Sequence, residues 1–187
     1  FNEWVDFFEK EIVTNNRGTF VKNDIWKKVD KDIENNTRST VVSCDRGVGK
    51  TTHMLAWCLG KINSFKNIKI FFVVHGEYEI IRILKALRNT SFFYVKDNKS
   101  IFCKNTNSSI VFLNINRNID DLIIGNNHIF PDYVIYDEMS VFNNENINKF
   151  LNYLDQISKL HNKYIKEICI STPSKGGSVF NFITVIA

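Results

Sequence analysis

The sequence predicts a mainly parallel α/β sheet flanked by helices, and three observations carry that prediction. Apolar runs of strand length recur at 40–43, 68–74, 110–115, 133–136 and 168–171. Stretches with apolar residues at helical spacing separate most of them. Polar residues gather where the runs end, as at Asp137-Glu138 and Ser171-Thr172, and the carboxyl ends of parallel strands are where such sheets hold ligands.

Composition narrows the class. The chain has 187 residues, 44% hydrophobic and 13% aromatic, which suits one well-packed domain. Eight glycines and two prolines exclude collagen-like, proline-rich and low-complexity classes. No uncharged apolar run approaches the ~18 residues that cross a bilayer, so no membrane partner is expected. The opening Phe1-Asn2-Glu3-Trp4-Val5-Asp6 is acidic, unlike a secretory signal, and lacks an initiator Met. A fragment or processed chain that is not secreted is expected. Cys44, Cys58, Cys103 and Cys169 show no CxxC spacing and read as small, buried, reduced residues. The scattered histidines give no zinc pattern.

In chain order, residues 3–12 place Trp4, Phe7, Phe8 and Ile12 at helical spacing, and 20–34 repeats this with Phe20, Val21, Ile25, Trp26 and Val29. Asn35-Asn36-Thr37 breaks the second helix. A buried strand at 40–43 leads through the loop 44–49 into a helix over 50–61. After the strand 68–74, the helix 77–89 turns Ile80, Ile81, Leu84 and Leu87 inward, with Arg82, Lys85 and Asn89 outward. Residues 92–95 and 100–103 form a hairpin. A strand at 110–115, a short helix at 120–124 and the strand 133–136 follow. Ile147, Phe150, Leu151, Leu154, Ile157 and Leu160 mark a long amphipathic helix before the last strand, 168–171.

Two local patterns carry chemistry. Arg46-Gly47-Val48-Gly49-Lys50-Thr51-Thr52 lies between a strand and a helix, as a phosphate-binding loop requires. Successive backbone N–H groups there face an anion-sized hollow at the positive end of the following helix. Lys50 reaches β- and γ-phosphates, and the Thr51 hydroxyl holds Mg²⁺. The usual GxxxxGK[ST] pattern would place its first glycine where this chain has Cys44. Asp137-Glu138 ends an apolar strand, so one carboxylate can serve the metal and the other the attacking water. Charge adds a weaker signal. Residues 1–36 carry six Lys/Arg against eight Asp/Glu, whereas Arg82, Lys85, Arg88, Lys96, Lys99, Lys104 and Arg117 face only Asp97 within 82–117. That stretch is either a solvated surface or a patch that tracks a phosphate backbone. Arg82, Lys85, Lys99 and Lys104 are its candidate DNA-binding residues.

Taken in order, Arg46 ahead of Gly49-Lys50-Thr51, the strand ending Asp137-Glu138, and Ser171-Thr172-Pro173 ahead of Gly176-Gly177 and Phe180 resemble the ATPase domain of viral terminase large subunits. These motors package double-stranded DNA into phage and herpesvirus capsids. The likeness runs from about Val41 to Phe182, and 107–112 is similar to the strand before the acidic motif. It implies a P-loop NTPase of the additional-strand catalytic-glutamate (RecA-like) class, with the coupling strand between the phosphate-loop strand and the acidic strand. It implies ATP and Mg²⁺ as ligands, Lys50 and Thr51 on phosphate and metal, Asp137 on Mg²⁺ and Glu138 as catalytic base. Arg46 matches a loop arginine acting in cis on the γ-phosphate, and Ser171, Thr172 and Pro173 match the coupling motif. The implied partners are double-stranded DNA, a portal protein and a small terminase subunit, with a homo-oligomeric ring as the working assembly. The implied location is the host cytoplasm, or the nucleus for a eukaryotic virus. Residues 1–36 are expected to form a helical segment on the core and 37–187 the ATPase domain, with the family's nuclease domain not in this chain. The family's upstream adenine-reading Gln has no counterpart, since Gln156 is the only Gln; Asn23 and Trp26 are the nearest substitutes. A superfamily 2 helicase ATPase domain and a slowly hydrolysing nucleotide switch remain as alternatives.

Overall fold

Strand β2 (Lys69–Val74) shows how the sequence builds the centre of the molecule. Its side chains alternate, so Ile70, Phe72 and Val74 join the core on one face while Phe71 and Val73 join that on the other. A strand apolar on both faces needs cover on both, and parallel sheets obtain it from their crossover helices. The computed structural model describes residues 1–15, 25–35, 38–87, 92–97, 99–117 and 119–172. Phe20, Val21, Asn23, Asn36, Thr37, Arg88, Asn89, Pro173, Gly176-Gly177, Phe180 and Phe182, named above, lie outside these.

Helices α1 (Asn2–Asn15) and α2 (Ile25–Asn35) come first, followed by β1 (Ser39–Ser43) and α3 (Lys50–Ser64). After β2 come α4 (Glu77–Leu87), the strands β3 (Phe93–Lys96) and β4 (Ser100–Cys103), and β5 (Ser108–Asn114). The chain then forms α5 (Ile119–Asn126), β6 (Tyr133–Asp137), a 3₁₀ turn at Met139–Val141, α6 (Asn144–His161) and β7 (Lys166–Ser171). The seven strands form one sheet in the order β1-β7-β6-β2-β5-β4-β3. Pairings from β1 to β5 are parallel, and the β3–β4 hairpin joins antiparallel on β5. Strand β7 lies between β1 and β6, the order the terminase resemblance implies.

The structure extends several elements beyond their expected ends. Helix α6 begins before the first apolar residue of its stripe because the Asn143 side chain accepts from the N–H groups of Glu145 and Asn146. Helix α5 runs eight residues where five were expected. The 3₁₀ turn after Glu138 had no counterpart in the sequence reading, since three residues are too few for periodicity.

Helix α3 is the most enclosed helix, with α1 against its outer side. Val5, Phe8 and Ile12 of α1 join the same core as Met54, Trp57 and Ile62 of α3. Lys61, near its end, is buried; its ammonium pairs with Glu34 of α2 at 2.8 Å and lies 4.4 Å from the Phe1 ring centre. All four cysteines are free thiols. Among the described residues no helix is long and apolar enough to cross a membrane.

Candidate functional site

The loop between β1 and α3 turns on its glycines. Gly47 and Gly49 have φ of +83° and +86°, a left-handed region that costs a residue with a Cβ. Cys44 is not among the positive-φ residues, which explains how it can stand where the common pattern has glycine. Its carbonyl accepts a bond from Lys50 Nζ at 3.0 Å.

Lys50 opens α3 and is only 6% exposed. An ammonium has three N–H donors. Here they meet the carbonyls of Cys44 (3.0 Å) and Asp45 (2.9 Å) and the hydroxyl of Thr172 (3.3 Å). The cation is therefore held between the loop and the end of β7. Next to it, the Thr51 hydroxyl donates to Asp137 Oδ1 at 2.9 Å. Thr52 is half-buried and Arg46 is exposed in the loop.

Asp137 and Glu138 are neighbours in sequence but meet different surroundings. Burial pushes the Asp137 carboxyl up to about 6; the Thr51 bond, Arg82 and His75 oppose that, while the Glu138 charge adds to it. A carboxylate so enclosed gains by meeting a cation. Partial burial also pushes Glu138 upward, but hydrogen bonds from Thr172, the Lys50 charge and Ser140 outweigh it and hold the carboxyl below its ordinary value. Glu138 thus carries its negative charge at neutral pH. Its backbone is left-handed (φ 59°, ψ 51°), a strained conformation for a residue with a side chain, at a cost on the order of 1–3 kcal/mol. What sustains it is the end of β7: Glu138 N–H donates to Ile170 O at 2.9 Å, and Glu138 Oε1 accepts from Thr172 N–H at 2.9 Å.

Thr172 therefore touches both charges, giving its N–H to Glu138 and accepting Lys50 on its hydroxyl. Ser171 is buried, and its Oγ accepts from Ser140 N–H at 3.1 Å. Sequence reasoning missed Ser140, whose hydroxyl also reaches Glu138 Oε1 at 3.4 Å; its place two residues past the acidic pair was the available signal.

A magnesium ion fits this donor set. Among the described residues no group of three or more His, Cys, Asp or Glu could hold a metal by itself. A hard ion that shares one hydroxyl and one carboxylate with waters and substrate phosphates needs no such group. Thr51 and Asp137 present that pair.

The candidate basic residues divide. Arg82 and Lys85 are exposed on α4, and Arg82 is close enough to act electrostatically on Asp137. Lys99 borders a cavity of about 480 Å³ together with Glu77, Asp97, Arg117 and Asp121. Lys104 lies past the other end of β4, its ammonium 5.3 Å from the Tyr94 ring centre. The structure thus places Lys99 and Lys104 at opposite ends of one strand. Trp26 is 3% exposed and stacks on His53, so its ring is not open to an adenine.

No protein-family model matches the sequence, and no curated protein matches it. Solved structures do. The large terminase of bacteriophage HK97 superposes with a TM-score of 0.66 over 90% of this chain, at 14% identity. The ATPase domain of the Thermus phage P74-26 large terminase gives 0.58 over 92%, at 12% identity. This chain has the fold of a large-terminase ATPase domain. It spans 37% of the HK97 terminase chain and 71% of the P74-26 domain. At such identities what is shared is the terminase fold, while the work of each side chain rests on the geometry described above.

Proposed function

We propose that this chain is the ATP-hydrolysing motor domain of a viral DNA-packaging terminase large subunit, which couples hydrolysis to movement of double-stranded DNA. The observation that carries the reading is the meeting at the sheet's carboxyl end: Thr51 on Asp137 at 2.9 Å, with Lys50 and Glu138 both held by Thr172. A nucleotide store needs the loop alone. A charged glutamate tied to the neighbouring strand suits hydrolysis and its transmission.

In this reading the loop N–H groups and Lys50 bind the β- and γ-phosphates of ATP. Glu138 takes a proton from the attacking water as its oxygen bonds to the γ-phosphorus and the bond to the ADP oxygen breaks. Magnesium, when bound, supplies positive charge to the phosphate oxygens. Arg46, exposed beside the hollow, adds to that charge in cis. When Lys50 turns to phosphate it leaves the Thr172 hydroxyl, so the end of β7 responds to the nucleotide. That response is the proposed origin of coupling through Ser171, Thr172 and Pro173. Arg82, Lys85, Lys99 and Lys104 are the proposed contacts to DNA phosphates, with portal protein, small terminase subunit and further copies of the chain as partners in the ring. Residues 1–36 serve as the helical support and 37–187 as the ATPase domain.

The test is ATP turnover with and without double-stranded DNA. Lys50→Ala and Glu138→Gln are each expected to lower turnover by at least about 100-fold while circular dichroism and the thermal midpoint show an intact fold. Near-normal turnover in both variants would overturn the reading.

A further inference from the structure

Val48 sits between two left-handed glycines, so its peptide link to Gly49 is the part of the loop least constrained by local chemistry. One contact constrains it from outside. The indole N–H of Trp26, on α2, donates to the Val48 carbonyl at 3.3 Å. The peptide bond is planar and trans, so its C=O and the following N–H point in opposite directions. Holding the Val48 carbonyl toward Trp26 turns the Gly49 N–H to the side away from Trp26.

The indole is itself held. It stacks on the His53 ring with centroids 4.5 Å apart and planes 12° apart. His53, one turn beyond Lys50 on α3, is bonded through Nε2 to Asp30 at 2.8 Å. Asp30 lies four residues after Trp26 on α2, on the same face of the helix. The second imidazole nitrogen faces Glu9 of α1 at 3.6 Å. One buried imidazole thus joins three helices behind the loop.

We infer that Trp26 is a positioning residue of the phosphate loop, which aims the Gly49 N–H at the nucleotide phosphates by gripping the Val48 carbonyl, with His53 and Asp30 as its mount. The inference rests on the nucleotide-binding reading above and adds that the N-terminal helices set nucleotide affinity.

Trp26→Phe keeps a ring to stack on His53 and removes the donor. Calorimetric binding of ADP and of a non-hydrolysable ATP analogue is expected to weaken about three- to tenfold, the range for one net hydrogen bond. Because the N–H grips ground state and transition state alike, KM rises while kcat stays at the wild-type level. A purely structural role would instead lower the thermal midpoint and leave affinity unchanged. A second measurement needs no variant. Of the three tryptophans, Trp4 and Trp57 belong to the α1–α3 packing. ADP should therefore shift one indole N–H resonance in the NMR spectrum of the wild-type chain. Equal affinity of wild type and variant, or indole resonances that all stay fixed as nucleotide binds, overturns the inference and leaves the nucleotide reading standing. A wild-type chain that binds no nucleotide overturns both.

Discussion

The two ends of the sheet handle polar groups in opposite ways. At the carboxyl end Lys50, Asp137 and Ser171 are 6%, 5% and 1% exposed; Lys50 bonds two loop carbonyls and Thr172, Asp137 accepts from Thr51, and Ser171 accepts from the Ser140 N–H. At the amino end Lys61 is also buried, but its partner Glu34 is exposed, and two further lysines are open: Lys159 pairs with Asp155, and Lys163 with Asp132, with Lys159 and Lys163 bordering a cavity of about 590 Å³. Buried charges cost more to desolvate than surface pairs, and a strained Glu138 adds to that cost. The carboxyl end therefore carries a stability penalty that a bound polyphosphate and cation would offset.

The sharpest way to break this comparison is Asp137→Asn. The amide oxygen can still accept the Thr51 hydroxyl, but no charge remains to be buried. Because folding raises the Asp137 pKa from 3.8 to about 6, its ionisation opposes folding: the contribution is neutral below pH 3.8 and costs stability as pH rises through about 6. At pH 7 the variant is expected to be more stable, by up to on the order of 3 kcal/mol, to unfold at a correspondingly higher temperature, and to lose turnover. Thermal melts without metal from pH 4 to pH 7 check this; a variant no more stable than wild type at pH 7 removes the penalty from the carboxyl end.

Glu167 tests the comparison from the other side, being a half-buried carboxylate near the amino end. Burial raises its pKa above 4.5, against the opposing hydrogen bond from Tyr136 Oη. The sign is the same as for Asp137: the contribution to stability is complete below pH 4.5 and is lost as pH rises through the raised value. Glu167→Gln keeps an acceptor for Tyr136 and should gain stability over wild type at pH 8 more than at pH 4, with turnover retained. A pH-independent difference, read by urea titration at both pH values, would count against it. The smallest effect belongs to Lys163→Ala, which removes the exposed lysine of its pair, leaves Asp132 accepting the Lys69 N–H, and should change stability by less than about 1 kcal/mol with no change in turnover. A loss of several kcal/mol would mean that the amino end is no less invested than the carboxyl end.

How much of this was legible in the sequence depended on separation along the chain. Gly47, Gly49, Lys50 and Thr51 form a contiguous pattern, and Asp137-Glu138 closes an apolar strand, so both were readable from local spacing. The alternation of β2 and the stripe of α6 were readable for the same reason. The contact of Lys50 with Thr172 joins positions 122 residues apart, and that of Trp26 with Val48 joins positions 22 apart. Neither leaves a periodic trace. The left-handed backbone at Glu138 was also invisible, since it comes from bonds to β7 rather than from a glycine.

One consequence follows from β1 lying at the edge of the sheet. Among the described residues its single strand neighbour is β7, and the pairing continues one residue beyond β1 through Cys44 N–H on Ser171 O at 3.2 Å. The loop thus hangs from a rail fastened along one side. If β7 slid by a fraction of a rung, β1 and its loop would be drawn along with it, because among the described residues no second strand braces them from the opposite flank.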